Sequence, residues 1–188
     1  MHRMYFRGGQ VLFLLAKFTI LAFLIITPFR FFVLQPFIVS GASMAPTLNP
    51  HEYLVIDRIS YRFEEPERGD IAIFRYPLDP AFFFIKRIVG LPGERIRMDE
   101  GTLYVTGADG IEKVLSEPYR IDDTGKDETL SLTLSDDEYF VLGDNRHESS
   151  DSRTWGPLPK RFIIGRAITR LYPFDAVQLF PGMYRYNE

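Results

Sequence analysis

The sequence SGASMAPTL at residues 40–48 separates a long apolar N-terminal segment from a remainder with strand-like patterns. Gly41 and Ala42 carry the smallest side chains and leave the backbone beside Ser43 accessible to another chain. Pro46 fixes its own backbone angle and disfavours a helix at the residue before it. A serine in such a turn is either a nucleophile or an ordinary turn residue, because serine is common in turns. This segment alone leaves both interpretations open.

The composition excludes several classes of protein. A chain of 188 residues is long enough for one domain with a hydrophobic core. Its net charge of −3 gives no basic excess for binding nucleic acid. The absence of cysteine rules out disulfides and thiolate metal sites, and three histidines without an HExxH motif do not predict a zinc site. We therefore predict no cofactor and no nucleic-acid partner.

The N-terminal segment is predicted to be a transmembrane helix. Residues 11–26 are apolar apart from Lys17 and Thr19. As a helix they span about 24 Å, slightly less than a hydrocarbon core of about 30 Å, and continuation to about Leu34 makes the helix long enough. Lys17 lies near the N-terminal end, where it can reach the membrane surface. The basic residues that precede the span place the N-terminus in the cytoplasm and the rest of the chain outside.

A cleaved signal peptide is the alternative interpretation of this segment. Ser40 and Ala42 are small residues two positions apart, as at an A-x-A cleavage site. However, the apolar region is about twice as long as the usual 7–15 residues of a signal peptide. We therefore predict a retained anchor at residues 1–36 and an extracytoplasmic β-rich domain at residues 37–188.

Period-two alternation of apolar residues dominates the chain from residue 52 onward, and turn signals separate its short runs. Residues 112–128 are polar and acidic and are interpreted as a surface insertion or loop. The pattern predicts a mostly β protein, an antiparallel sandwich or partly closed barrel preceded by one transmembrane helix. The predicted strands cover residues 53–58, 71–74, 82–89, 96–98, 102–105, 130–134, 139–142, 163–172 and 176–180.

Lys86 lies in the most apolar of these strands. Alternation places it on the same face as Phe84 and Ile88, whereas Ile85 and Arg87 fall on the other face. Burial of a lysine lowers its pKa, and a neutral amine can take a proton from a serine hydroxyl. A Ser/Lys pair of this kind needs no histidine. A lysine that extends to solvent at a sheet edge is the equally open alternative.

Residues 143–156 form a polar loop after a predicted strand, and the loop contains the single tryptophan of the chain. Asp151 and Arg153 are spaced for a bidentate ion pair that would hold the loop. A calcium-binding loop is an alternative, although the charges are mixed and the EF-hand spacing is absent. His51 and His147 also leave a histidine-based site open.

The chain as a whole resembles a bacterial-type signal peptidase I. Four blocks match that family in order, at residues 43–48, 68–71, 86–94 and 143–156. With the apolar segment in front of them, they cover the chain from end to end.

The resemblance implies a role for each matching polar residue. Ser43 would be the nucleophile, Lys86 the general base, and Ser149 the serine whose hydroxyl orients the lysine amine. The backbone N–H of Ser43 would be one oxyanion donor. A second donor in one branch of the family is a serine at the position of Gly41, and whether Ser40 replaces it stays open. The residues that match the loop supporting the dyad are Asp144, Arg146, Asp151 and Arg153, of which the last two would form a salt bridge.

The resemblance also implies a function. The chain would be a membrane-anchored serine endopeptidase of the cell membrane that removes signal peptides from exported preproteins, cleaving after small residues. Its partners would be those preproteins and the lipid bilayer, and its small size suggests a monomer. One alternative is a self-cleaving, repressor-like Ser/Lys peptidase, against which the anchor and the lack of a DNA-binding domain count. Another is a catalytically silent β module that binds an exported partner and needs neither Ser43 nor Lys86.

Overall fold

The structure is a computed structural model that describes residues 3–32, 34–121 and 129–186. It begins with helix α1 (Arg3–Phe32), which confirms the predicted N-terminal helix. The large apolar side chains between Val11 and Leu24 are all exposed. Among the helices of the described residues, none combines the length and the mean hydropathy of a membrane span.

The remainder of the described chain is mostly antiparallel β structure, as predicted. The strands of the larger sheet are β1 (Leu34–Ile38), β2 (Tyr53–Asp57), β3 (Ile71–Tyr76), β4 (Asp79–Gly90), β9 (Glu138–Leu142), β10 (Leu158–Pro159), β11 (Ile163–Tyr172) and β12 (Gln178–Leu179). These eight strands are ordered β1-β2-β11-β3-β4-β9-β10, with β12 paired to β11. Strands that are distant in the sequence therefore lie side by side, for example β2 and β11.

The strands of a second sheet are β5 (Arg95–Asp99), β6 (Thr102–Thr106), β7 (Glu112–Val114) and β8 (Leu130–Thr133). This sheet is ordered β7-β6-β5-β8 and packs against β4 and β9 of the first sheet. Residues of both sheets, such as Val89 and Phe140 with Ile96 and Leu103, share one buried cluster. Both strand orders are open rather than circular, so the described residues form no closed barrel.

Two sequence interpretations need correction. The acidic stretch at residues 112–128 is not entirely a loop, because β7 pairs with β6 at its start, and residues 122–128 lie outside the described residues. The predicted strand at residues 176–180 is reduced to β12, since a 3₁₀ turn occupies Phe174–Ala176. A short helix, α2 (Ser152–Trp155), lies within the polar loop.

The larger sheet is buried on both faces around β3. Ile71 and Ile73 belong to one buried cluster, and Ala72 and Phe74 belong to another. Burial of an isoleucine or phenylalanine side chain contributes about 1.5–3 kcal/mol, so these clusters hold β3 and its neighbour β4 firmly in place. The position of β4 matters because it carries Lys86.

The pairing of β4 leaves one of its edges open. β4 pairs with β9 only from Arg87 onward, whereas β3 pairs with its other edge from Asp79 onward. The turn at residues 40–48 and the loop that follows β9 approach β4 at the point where the pairing with β9 stops. Three separate parts of the chain thus meet around Lys86.

Candidate active site

Ser43 and Lys86 lie in direct contact. Lys86 Nζ donates a hydrogen bond of 2.6 Å to Ser43 Oγ. Lys86 is only 4% exposed. Burial lowers the pKa of Lys86 to about 8, although the negative charges of Asp151 and Asp144 oppose this shift. A substantial fraction of this amine is therefore neutral near pH 8, and a neutral amine can accept the Ser43 proton.

Alternation along β4 explains the burial of Lys86. Phe84 and Ile88 pack in one buried cluster, whereas Ile85 packs against another, as the period-two pattern predicts. Lys86 Nζ lies 5.5 Å from the centre of the Phe84 ring. The amine thus has an aromatic neighbour and the serine hydroxyl at its end, and it does not extend to solvent.

The turn that carries Ser43 is fixed from both sides. Met44 and Leu48 are buried in the cluster beneath the turn, and the Leu48 N–H donates to the Met44 carbonyl over 2.8 Å. The Ser43 carbonyl accepts a hydrogen bond of 3.1 Å from the Asn145 N–H. Gly41 has a φ of +81°, which favours glycine at this position. These contacts hold Ser43 beside β4, and among the described residues its hydroxyl has no hydrogen bond other than that from Lys86.

Asp151 and Arg153 form the predicted ion pair. Arg153 Nε donates to Asp151 Oδ1 over 2.8 Å, and Arg153 Nη2 donates to Asp151 Oδ2 over 3.0 Å. Burial alone would raise the pKa of Asp151, but the bonds and charge of Arg153 hold it below its ordinary value. The Gly143 N–H also donates to Asp151 over 3.1 Å. Asp151 thereby ties the loop to the end of β9.

Ser149 lies in the same tight space. Its hydroxyl oxygen is buried, and no described residue lies within full hydrogen-bonding geometry of it. The hydroxyl is nevertheless close to the Asp151 carboxylate and contributes to lowering the pKa of Asp151. The structure therefore shows no bond from Ser149 to Lys86. A Cβ added to Gly143 would lie 2.3 Å from Ser149 Oγ and 2.5 Å from the Ser43 carbonyl oxygen. Only glycine at position 143 lets these two serines approach each other.

Asp144 and Arg146 serve different partners. Asp144 accepts hydrogen bonds of 2.9 and 2.7 Å from Arg87, and the Thr47 hydroxyl donates to the same carboxylate. Arg146 donates to the Gly143 carbonyl over 3.0 Å and pairs with Glu117. Neither charge contacts Lys86 or Ser43 directly. Both hold the backbone on which the dyad is placed.

Several residues that support the site were not predicted from the sequence. Arg87 stands in the same matching block as Lys86 but was assigned no role, and Glu117 lies in the stretch interpreted as a loop. Arg87 also donates to the carbonyls of Gly69 and Gly182, over 3.1 and 2.6 Å. An arginine inside an apolar strand was the available signal, because a buried cation requires a carboxylate partner.

An open cleft of about 600 Å³ extends from the dyad. Its walls are residues 37–43 and residues 81–86, and Glu148 and Ser150 complete it. Ser40 is exposed and lines this cleft, whereas neither His51 nor His147 does. No three His, Asp or Glu side chains of the described residues are grouped as metal ligands, so the polar loop gives no support to a calcium site.

A serine bonded to a buried lysine at the head of an apolar cleft defines the class of a serine hydrolase that works without histidine. A family model described as "signal peptidase, peptidase S26" matches residues 12–172. The chain belongs to this family of serine peptidases with a Ser/Lys dyad.

Individual relatives agree with this assignment. Probable signal peptidase I-2 of Synechocystis sp. is 39% identical over 171 residues, which cover 88% of this chain and 75% of that protein. Signal peptidase I of Bacillus licheniformis is 33% identical over 177 residues, which cover 89% of this chain and 92% of that protein. The crystal structure of a signal peptidase I from Enterococcus faecalis, 31% identical, matches 55% of this chain and 97% of that chain with a TM-score of 0.46. The family match and the two sequence relatives support removal of signal peptides by this peptidase.

Proposed function

We propose that this protein is a membrane-anchored endopeptidase that removes signal peptides from exported preproteins, with Ser43 as the nucleophile and Lys86 as the general base. The observation that carries the proposal is the 2.6 Å hydrogen bond between Lys86 Nζ and Ser43 Oγ at a buried amine. Nucleophile and base must lie within about 2.6–3.2 Å of each other for direct proton transfer.

The proposed reaction has two halves. Neutral Lys86 takes the Ser43 proton while Ser43 Oγ attacks the carbonyl carbon of the scissile peptide bond. The tetrahedral intermediate collapses, Lys86 gives the proton to the leaving amine, and the signal peptide remains bound to Ser43 as an ester. Lys86 then takes a proton from a water molecule that attacks this ester. The new carboxylic acid leaves as Lys86 returns its proton to Ser43 Oγ.

Two donors would stabilise the oxyanion in both halves of the reaction. The Ser43 N–H is the first, because it lies on the nucleophile itself. Ser40 is a candidate for the second, because it lines the same cleft. Supporting roles are assigned to Ser149, the Asp151–Arg153 pair, Asp144 and Arg146, which lie in the loop beside the dyad. Of these residues, Asp151, Asp144 and Arg153 also act on the pKa of Lys86 through their charges.

The substrate is proposed to bind as an added strand. The part of β4 before Arg87 has no β9 partner, and a strand with an open edge can pair with an extended peptide. The cleft is lined on this side by Phe83, Phe84 and Ile85, and opposite them by Ile38 and Ala42. A shallow, apolar pair of subsites in this cleft would suit small substrate side chains, as in cleavage after an Ala-x-Ala sequence.

Cleavage of an Ala-x-Ala preprotein in detergent, followed across pH, tests the dyad. We expect kcat/KM to rise with pH through a pKa of about 8, because Lys86 must lose its proton to act as a base.

Ser43→Ala and Lys86→Ala should each lower kcat/KM by at least about a thousandfold. Lys113→Ala, a lysine on the exposed face of the second sheet, is the matched control and should retain activity. Full activity in Lys86→Ala would move the base to His51 or His147, and inactivity of the wild type on every preprotein would favour a binding module.

Anchoring by α1 is a separate part of the proposal. The large apolar side chains between Val11 and Leu24 are exposed, and burial in a bilayer would remove them from water. We expect the full chain to stay with membranes after extraction at alkaline pH, and a chain that lacks residues 1–33 to be released. Protease added outside intact cells should digest the domain but not an N-terminal tag. Release of the full chain would contradict anchoring.

A further inference from the structure

The charges of the polar loop at residues 143–156 are neutralised within the protein, with one exception. Asp144 pairs with Arg87, Arg146 pairs with Glu117, and Asp151 pairs with Arg153. The side chains in these three pairs are between 0% and 12% exposed.

The exception is Glu148. It is exposed, and the described residues give its carboxylate neither a hydrogen bond nor an ion pair. Its backbone is nevertheless fixed, because its N–H bonds to the Asn145 side chain and the Asn145 N–H bonds to Ser43. The loop thus holds the backbone of Glu148 beside the cleft, and no described residue neutralises its carboxylate.

Glu148 faces the cleft that begins at the dyad. Of the residues that line this cleft, only Glu148 and Lys86 are ionisable. The other walls are largely apolar, with Phe37, Ile38 and Phe83 among them, and apolar walls concentrate the field of a charge that lies between them. A charged side chain of a peptide bound in the cleft would therefore meet one carboxylate that no described residue neutralises.

We propose that Glu148 selects substrates by charge, favouring a basic over an acidic residue near the scissile bond. This inference rests on the proposed function. The small residues required just before the bond and two positions earlier leave three nearby positions free to carry a charge. These are the second residue before the bond and the first two residues after it. An opposite charge at about 4 Å in a hydrated cleft changes an equilibrium by about fivefold, and salt reduces the effect.

Paired preprotein substrates test this selection. Each of the three positions carries Lys, Gln or Glu in otherwise identical substrates, and kcat/KM is measured at low and high ionic strength. At one position or more, we expect the wild type to prefer Lys over Gln by about fivefold at low salt, and Gln over Glu by a similar factor. Both ratios, and the larger Lys/Glu ratio that combines them, should decrease at high salt. Glu148→Gln should reduce the Lys/Glu ratio to about one, and Glu148→Lys should reverse it.

The matched control is Glu100→Gln, which neutralises an exposed carboxylate in the turn between β5 and β6 that lies outside the cleft. It should keep the wild-type ratio. The Gln substrate serves as the internal reference, so a general loss of activity does not imitate a change of selectivity. An unchanged ratio in Glu148→Gln, or the absence of any preference in the wild type, would overturn the proposal. Failure of the wild type to cleave any substrate would instead overturn the proposed function, and this inference with it.

Discussion

Lys86 and Arg87 are adjacent in β4 and almost fully buried, 4% and 0% exposed, yet the protein treats their charges in opposite ways. Burial lowers the pKa of Lys86 to about 8, and its amine has one hydrogen bond, to Ser43. The pKa of Arg87 is raised despite its burial, because Asp144 binds its guanidinium. Burial alone therefore does not decide whether a cation remains charged. The partners on each face of the strand decide it.

The partners of Arg87 come from distant parts of the chain. Its guanidinium donates hydrogen bonds to Asp144 and to the carbonyls of Gly69 and Gly182. The Cζ atom of the guanidinium lies 3.8 Å from the centre of the Tyr119 ring. On one face of β4 the fold thus provides a fully satisfied cation that holds the loops together. On the other face it leaves an amine poorly solvated and able to lose its proton.

The largest effect is expected from a replacement that keeps the charge but removes the ability to lose a proton. Lys86→Arg retains a cation at the same position, but arginine is not deprotonated at accessible pH. We expect kcat/KM on an Ala-x-Ala preprotein to fall by at least about a thousandfold at every pH between 6 and 10. Recovery of activity at the alkaline end of this range would contradict a role for the neutral amine.

Removal of the Arg87 charge, on the other face of β4, should lower the stability of the protein. Arg87→Leu leaves the buried Asp144 carboxylate without its cation, and removal of one partner of a buried pair costs about 3–5 kcal/mol. Urea unfolding should show this loss in the free energy of unfolding. The double variant Arg87→Leu/Asp144→Leu should recover part of it, because no unpaired charge remains. An equal or larger loss in the double variant would show that packing, rather than the stranded carboxylate, sets the cost.

The stability of the wild type should also depend on pH through Lys86. Its pKa is about 8 in the folded state and 10.5 in the unfolded state, so the unfolded state binds more protons between these values. Stability from this group therefore rises as pH increases from about 8 to about 10, by about 1–3 kcal/mol. Lys86→Met, which has no titratable group, should lack this component. Parallel stability curves for the two proteins would show that the lysine pKa is not lowered.

Sequence patterns predicted those features that depend on local alternation. The strand at residues 163–172 was predicted with the limits that β11 has, and the antiparallel class is confirmed, because one buried face imposes period two on a strand. The order of the strands could not be predicted in this way. The pairing of β2 with β11 depends on contacts between residues more than a hundred positions apart, which no local pattern specifies.

The candidate site likewise contains residues that the sequence predicts and contacts that only the fold creates. Ser43, Lys86 and the Asp151–Arg153 pair were identified from their blocks, and the structure brings them together. The partner of Asp144 was not identified, because Arg87 lies 57 positions away and only the fold joins the two. The pairing of Glu117 with Arg146 was not predicted either, because Glu117 lies in an acidic stretch whose composition favours a loop. Sequence blocks therefore indicate candidate residues and an ion pair within one loop, but not the ion pairs that join distant parts of the chain.

The smallest expected effect is a shift of the kcat/KM profile along the pH axis. The direction of this shift should differ between the two members of the Asp151–Arg153 ion pair. The negative charge of Asp151 raises the pKa of Lys86, and the positive charge of Arg153 lowers it. Asp151→Asn should therefore move the acidic limb of the kcat/KM profile to lower pH, and Arg153→Gln should move it to higher pH, each by less than about one unit. Both variants break the same salt bridge, so a purely structural effect would reduce activity in both without separating their profiles. Shifts in the same direction would show that the pair acts on the position of Lys86 rather than on its charge.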